Sequence, residues 1–207
     1  ASAQVQQYAA NAYKTAGMSA NTYMETVTGF SATLLQGLGG DTEQAARIAD
    51  VAIQDMSDNA NKMGTDIQMI RDAYQGFAKD NYDMLDNLKL GYGGTQAEMA
   101  RLINDSGVLG DVMKVTAETV KDVPFDKMIE AIHQVQTEMG ITGTTSLEAA
   151  TTIQGSMSMA KAAWDNFLTG LGRDDVDFSA LTTQLLAAIG PVATNVAPRV
   201  AIIGRNI

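Results

Sequence analysis

Apolar residues recur at three- and four-residue steps along nearly the whole chain, and glycine clusters cut that pattern into pieces. The period is helical, because residues three and four apart share one face of a helix. Val5, Tyr8, Ala12 and Ala16 form a first stripe, and Tyr23, Val27, Phe30 and Leu34 a second. Gly37-Leu38-Gly39-Gly40 ends that helix, since glycine readily takes the left-handed conformation that closes one. Asp41 then offers an N-cap to a helix carrying Ala45, Ile48, Ala52 and Met56. Asp58-Asn59-Ala60-Asn61 and Gly64 interrupt the pattern. Thr65 is expected to cap the next helix, with Ile67, Ile70, Tyr74 and Phe77 inward, and Met84, Leu85 and Leu88 sit on a shorter one ending at Gly91. Strand-like alternation is negligible. The pattern therefore predicts an all-α fold: a multi-helix bundle of about eight helices with Gly-capped turns and long C-terminal helices.

Gly91-Tyr92-Gly93-Gly94 repeats the earlier punctuation. GLGGDTEQAARI and GYGGTQAEMARL share glycine spacing, a capping residue and an Arg followed by an aliphatic. Two readings stand: a 54-residue repeat, the offset from Gly37 to Gly91, or two hairpins that reuse glycine caps independently. The expected organisation is an N-terminal helical bundle over 1–105, an irregular connection over 106–123, and a helical section over 124–207 with an apolar end. Pro124 suits a helix start, and Phe125, Met128, Ile129, Ile132, Val135 and Met139 form a stripe closed by Gly140. After the loop Thr142-Gly143-Thr144-Thr145-Ser146 comes what reads as the longest helix. Ala150, Ile153, Met157, Ala160, Trp164, Phe167 and Leu171 make a heptad-like seam along it. That seam either closes an internal hairpin or is a self-association surface for another subunit. Asp174, Asp175 and Asp177 then mark a turn. Between Ser179 and Gly204 the only charge is Arg199. A membrane span needs about 20 mostly apolar residues; Pro191, Pro198 and the Arg favour a kinked helix packed on a partner, with membrane contact as the rival reading.

Composition excludes several function classes. Fourteen basic residues face 24 acidic ones, for a net charge of -10. The basic residues are scattered singly, so this segment is not expected to bind nucleic acid specifically. Charged residues are 18% of the chain against about 25% in an average globular domain, and a neutral polar surface suits packing against copies or partners. Cysteine is absent, which removes disulfides and thiolate metal sites and fits synthesis in a reducing cytoplasm. The single histidine, His133, sits on the polar flank of its stripe near Glu130, and no nucleophile elbow accompanies it. Asp80, Asp83 and Asp86 would share one helix face, with the wrong spacing for a Ca²⁺ loop. The GxGG clusters follow helices rather than strands, and no lysine follows them, so they are not phosphate loops. The residues thus point to no catalytic, cofactor-binding or metal site, and to a protein that is not an enzyme. Twelve methionines add side chains that tolerate repacking. The start, ASAQVQQYAA, has neither an initiator Met nor a signal-peptide pattern, so the chain is expected to be a piece of a longer protein.

Long runs carry a family resemblance. SAQVQQYAANAYKTAGMSANTYMETVTGFSATLLQGLGGDTEQAA, IADVAIQDMSDNANKMGT, AYQGFAKDNYDMLDNLKLGYGGT, AIHQVQTEMGITGTT and EAATTIQGSMSMAKAAWDNFLTGL stand in that order over most of residues 2–175. They resemble the core region of tail tape measure proteins of long-tailed phages and prophages, those of Gram-positive hosts above all. Residues 105–124 match less well. The resemblance implies a virion structural protein, made in the host cytoplasm and laid as several copies, trimer or hexamer, inside the tail. Its length would set tail length during tail assembly, and it would leave ahead of the DNA at genome ejection. The implied partners are copies of itself, the tail tube, the tail assembly chaperone and tail tip proteins, with transient contact to the host membrane. The family carries no catalytic residues in this region and no cofactor. The alternative reading of the residues is a helical interaction or scaffold module, or a secreted helical antigen, without catalysis.

Overall fold

A computed structural model describes residues 3–110, 114–173 and 176–205. Among the described residues there is no strand. The helices are α1 (Ala3–Thr15), α2 (Ala20–Thr28), α3 (Ser31–Gly37), α4 (Thr42–Met63), α5 (Ile67–Phe77), α6 (Gln96–Asp105), α7 (Phe125–Glu138), α8 (Thr144–Thr151), α9 (Ile153–Leu171) and α10 (Phe178–Arg205). Two 3-10 turns, Leu85–Leu88 and Val120–Asp122, join them. The expected all-α class stands, but with ten helices rather than about eight. The stripe read as one helix from Tyr23 to Leu34 breaks between α2 and α3. Thr152 separates α8 from α9, where its hydroxyl accepts from the Gly155 N–H and caps α9. α9 is not the longest helix, since α4 has 22 residues and α10 has 28.

Contacts group the chain into two compact units, one of residues 1–5 and 25–144, the other of residues 6–24 and 145–207. These cut across the divisions at 105 and 124 expected from the sequence, because α7 packs on α3, α4 and α6. The described parts of the connection, residues 106–110 and 114–123, belong to the same unit. Asn104 holds Val115 from both sides, its Nδ2 donating to the Val115 carbonyl at 2.8 Å and its Oδ1 accepting from the Val115 N–H at 2.9 Å. Val115, Val120 and Val123 are buried.

In the first unit α4 is the central element. Asp41 caps it, with Oδ1 accepting from the N–H groups of Glu43 and Gln44, and Gly64 closes it at φ +67°. The interruption expected at Asp58–Asn61 does not occur. The helix runs through, and Asp58 and Asn59 point inward, 2% and 1% exposed. Burial is tolerated because the Asp58 carboxylate and the Asn59 amide nitrogen find partners, although Asn59 Oδ1 is left without one. Asn59 Nδ2 donates at 2.9 Å to both the Leu88 carbonyl and Gln136 Oε1. The cap of α5 is Asp66 rather than Thr65: Asp66 accepts from the Gln68 N–H, while the Thr65 hydroxyl donates to the Asn87 carbonyl. Large side chains fill the surrounding core, among them Ile53, Met56, Ile70, Tyr74, Phe77 and Met99.

The second unit is built differently. Its core cluster is Tyr13, Ala149, Met159, Ala162, Ala163 and Ala188, with Ala160 and Leu185 against it. α9 and α10 run antiparallel. Gly170, near the end of α9, lies so close to Leu181 that a β-carbon would collide with it. Asn195, far along α10, donates to the carbonyls of Ala150 and Thr152 at the other end of α9.

Candidate functional site

α9 carries two parallel heptad-like stripes; the hairpin buries one and touches the other only in part, at Ala160 and Phe167. Ser156, Met159, Ala163, Asn166 and Gly170 are spaced three, four, three and four, and all are buried. Four of these five are small or short polar, so α10 approaches closely. Asn166 is also tied locally, its Oδ1 accepting from the Ala20 N–H at 2.8 Å. The seam read from the sequence lies one position along from this inner stripe. Met157, Trp164 and Leu171 stand 57%, 48% and 57% exposed. Ala150 is exposed, and Ile153, Ala160 and Phe167 are partly buried.

The seam is continuous with apolar groups on α10. Trp164 stacks on Phe167, with centroids 5.8 Å apart and planes at 25°. Phe167 meets the ring of Phe178 edge-on at 5.4 Å. Leu168, Leu186 and Ile189 add further exposed apolar area. Aromatic side chains offer large contact area for little entropy loss on ordering, and a contiguous apolar surface of this kind is the usual mark of a docking face. Phe178–Val200 is also one helical stretch long and apolar enough to cross a membrane, by length and composition, with almost none of it buried. Pro191 and Pro198 lie inside that helix. Elsewhere in this unit a cavity of about 580 Å³ opens beside Asn21, Met24, Thr169, Arg173, Asp177 and Leu181.

The six turn glycines divide by role. Gly37 is the last residue of α3, Gly39 and Gly40 have φ +60° and +87°, and Gly91 has φ +85°. Gly93 donates its N–H to Glu98 Oε2 at 3.0 Å. Gly94 packs against the backbone carbonyl of Asp83, where a β-carbon would collide. The second turn is braced by Arg101, which donates to Glu98 at 2.6 Å and to the Gly91 carbonyl at 2.9 Å, and lies 4.3 Å over the Tyr92 ring. Burial, then the hydrogen bond to Asp105, pushes the Tyr92 phenol up to about 12. The two turns correspond in leading to a capped helix, at Asp41 and at Thr95. They differ in which residues are left-handed and in what precedes them, α3 in one case and a 3-10 turn in the other.

Asp80, Asp83 and Asp86 do not share a helix face. Asp80 is left-handed at φ +59° and all three lie in turns or the 3-10 segment. Among the described residues no three His, Asp or Glu side chains gather in a way that would hold a metal ion. Asp174 and Asp175 lie outside the described residues. Asp177 accepts from the Ala180 N–H at the start of α10.

One polar cluster in the first unit was not read from the sequence. Asp55, 1% exposed, takes the His133 Nδ1 at 2.8 and 3.0 Å on its two oxygens. Asp58, one turn further along α4, accepts from the Gly143 N–H at 2.6 Å. Gln136 Nε2 donates to the Asp55 carbonyl. Burial pushes the Asp55 carboxyl up to about 6, against the opposing pull of His133. The hydrogen bond to Asp55 holds the His133 imidazole above its usual range, against the effect of its own burial. A signal was present: Asp55 stands three residues after Ala52, inside the apolar stripe of α4, where a carboxylate needs a partner.

No protein-family model, curated protein or solved structure matches the chain.

Proposed function

We propose that this chain is a structural segment of a phage tail tape measure protein. In that role it sets tail length during assembly and helps deliver the genome, with copies packed side by side through the α9 seam. The observation that carries the reading beyond sequence resemblance is the exposed Met157, Trp164 and Leu171 stripe, which its own hairpin leaves uncovered. A helix seam with a heptad-like step and an aromatic centre suits another helix of the same kind. The acidic, cysteine-free composition fits a component assembled in the cytoplasm and then enclosed by other proteins. The apolar α10 stretch supplies a surface for the tail tube, for tail tip proteins, or for a host membrane at ejection.

The test is an in-frame deletion of residues 1–170 from the full-length gene in its phage, with tail length read by electron microscopy. A helix advances about 1.5 Å per residue, so a fully extended ruler segment shortens the tail by about 255 Å. A smaller, reproducible shortening indicates a ruler segment that stays compact. Tails of unchanged length with full infectivity would remove the proposal.

A further inference from the structure

Two buried carboxylates on one helix, served by a single imidazole, make an unusual arrangement. Asp55 and Asp58 lie one turn apart on α4 and are 1% and 2% exposed. Facing them are His133 and Gln136 of α7, the Gly143 N–H and Thr144 hydroxyl of the following segment, and Tyr74 of α5, whose phenol burial and then the Asp55 charge push up strongly. Of these, only His133 is able to carry positive charge. Its side chain is 39% exposed, so solvent protons reach it while Asp55 stays enclosed. When the imidazole is neutral, the enclosed Asp55 carboxylate loses the cation that faces it, and weakening the compensation of a buried charge is costly.

We infer that Asp55, Asp58 and His133 form a proton-operated latch between α4 and α7, closed in mildly acidic solution and loosened as His133 loses its proton. The sign follows from both partners. Asp55 binds its proton more tightly folded than unfolded, so its contribution is complete below the ordinary value of 3.8 and fades as pH rises through about 6. His133 is also raised, so its contribution is complete below 6.5 and fades above that. Both act in one direction: stability falls as pH rises. Glu98 and Glu118 are shifted downward by their hydrogen bonds to Arg101 and Thr116, and so act only at lower pH. Most proteins lose stability on mild acidification; this unit gains it.

His133 is the only histidine, so one imidazole signal in a proton NMR titration of the whole chain reports the latch. In the wild-type protein that signal is expected to titrate above 6.5. In Asp55→Asn it falls back toward the ordinary imidazole range, because the hydrogen bond that raises it is weakened and the facing charge is gone. The urea midpoint of the wild type is expected to fall between pH 5 and pH 8, with an unfolding constant at least about tenfold larger at the higher pH; Asp55→Asn flattens this slope. His133→Gln, if it folds, removes the imidazole that holds the Asp55 carboxyl down, so its fall in stability persists and reaches to higher pH. A wild-type imidazole titrating at or below 6.5, or equal pH slopes in wild type and Asp55→Asn, overturns the inference.

Discussion

The two units differ in how much of their bulky apolar surface they bury. The first hides tyrosine, phenylalanine, isoleucine and methionine around α4, and among its described residues only Met69 and Met139 are large apolar groups left exposed. The second hides mostly alanines, with Tyr13, Met18, Tyr23 and Met159 among them, and leaves Leu147, Met157, Trp164, Leu168, Leu171, Phe178, Leu186, Ile189 and Val200 outside. Burying apolar area is the main favourable term in folding, at roughly 25 cal/mol per Å². The first unit has therefore spent its apolar surface on its own core, whereas the second keeps much of it available. On the proposed function, the exposed apolar surface of the second unit is the one that meets another copy.

The largest effect is expected where the first core is densest. Phe77→Ala removes a ring packed between Tyr74 and Tyr82 and is predicted to cost about 3–5 kcal/mol in chemical denaturation. Trp164 is the only tryptophan and lies in the second unit, so its fluorescence follows that unit while far-ultraviolet circular dichroism follows all helices. If Phe77→Ala shifts both signals equally, the two units unfold as one and the comparison breaks. Asn59→Leu comes next. It strands the Leu88 carbonyl and Gln136 Oε1 without their shared donor, at about 1–3 kcal/mol by the same assay. Asp41→Ala removes two hydrogen bonds at the start of α4 and should cost about 1 kcal/mol. Trp164→Ala is the smallest, below about 1 kcal/mol at low protein concentration, because the ring is half exposed. A loss as large as that of Phe77→Ala would show that Trp164 belongs to a core after all.

The helical class, the Asp41 cap, the Pro124 start and the Gly140 stop were legible because each depends on local chemistry within one turn. What stayed hidden depends on where a side chain points in space. Asp58 and Asn59 read as a helix break because polar residues commonly mark one. Here their partners, Gly143, Leu88 and Gln136, come from elsewhere in the chain. The Asp80, Asp83 and Asp86 spacing looked helical only because the left-handed turn at Asp80 leaves no mark in that spacing. On α9 the heptad-like step was visible, but a step shared by two adjacent stripes does not reveal which one the hairpin takes. Small residues at Ala163 and Gly170 decided it, since they admit α10 closely and turn the bulky stripe outward.

On the proposed function, the exposed Met157, Trp164 and Leu171 stripe of α9 meets a second copy of the chain. Sedimentation velocity over a wide concentration range, comparing the wild-type chain with a Trp164→Glu, Leu171→Glu double variant, tests it most directly. Reversible association in the wild type, lost in the variant while helix content is kept, is the predicted result. A wild-type chain that stays monomeric throughout, or association that survives both substitutions, would contradict it.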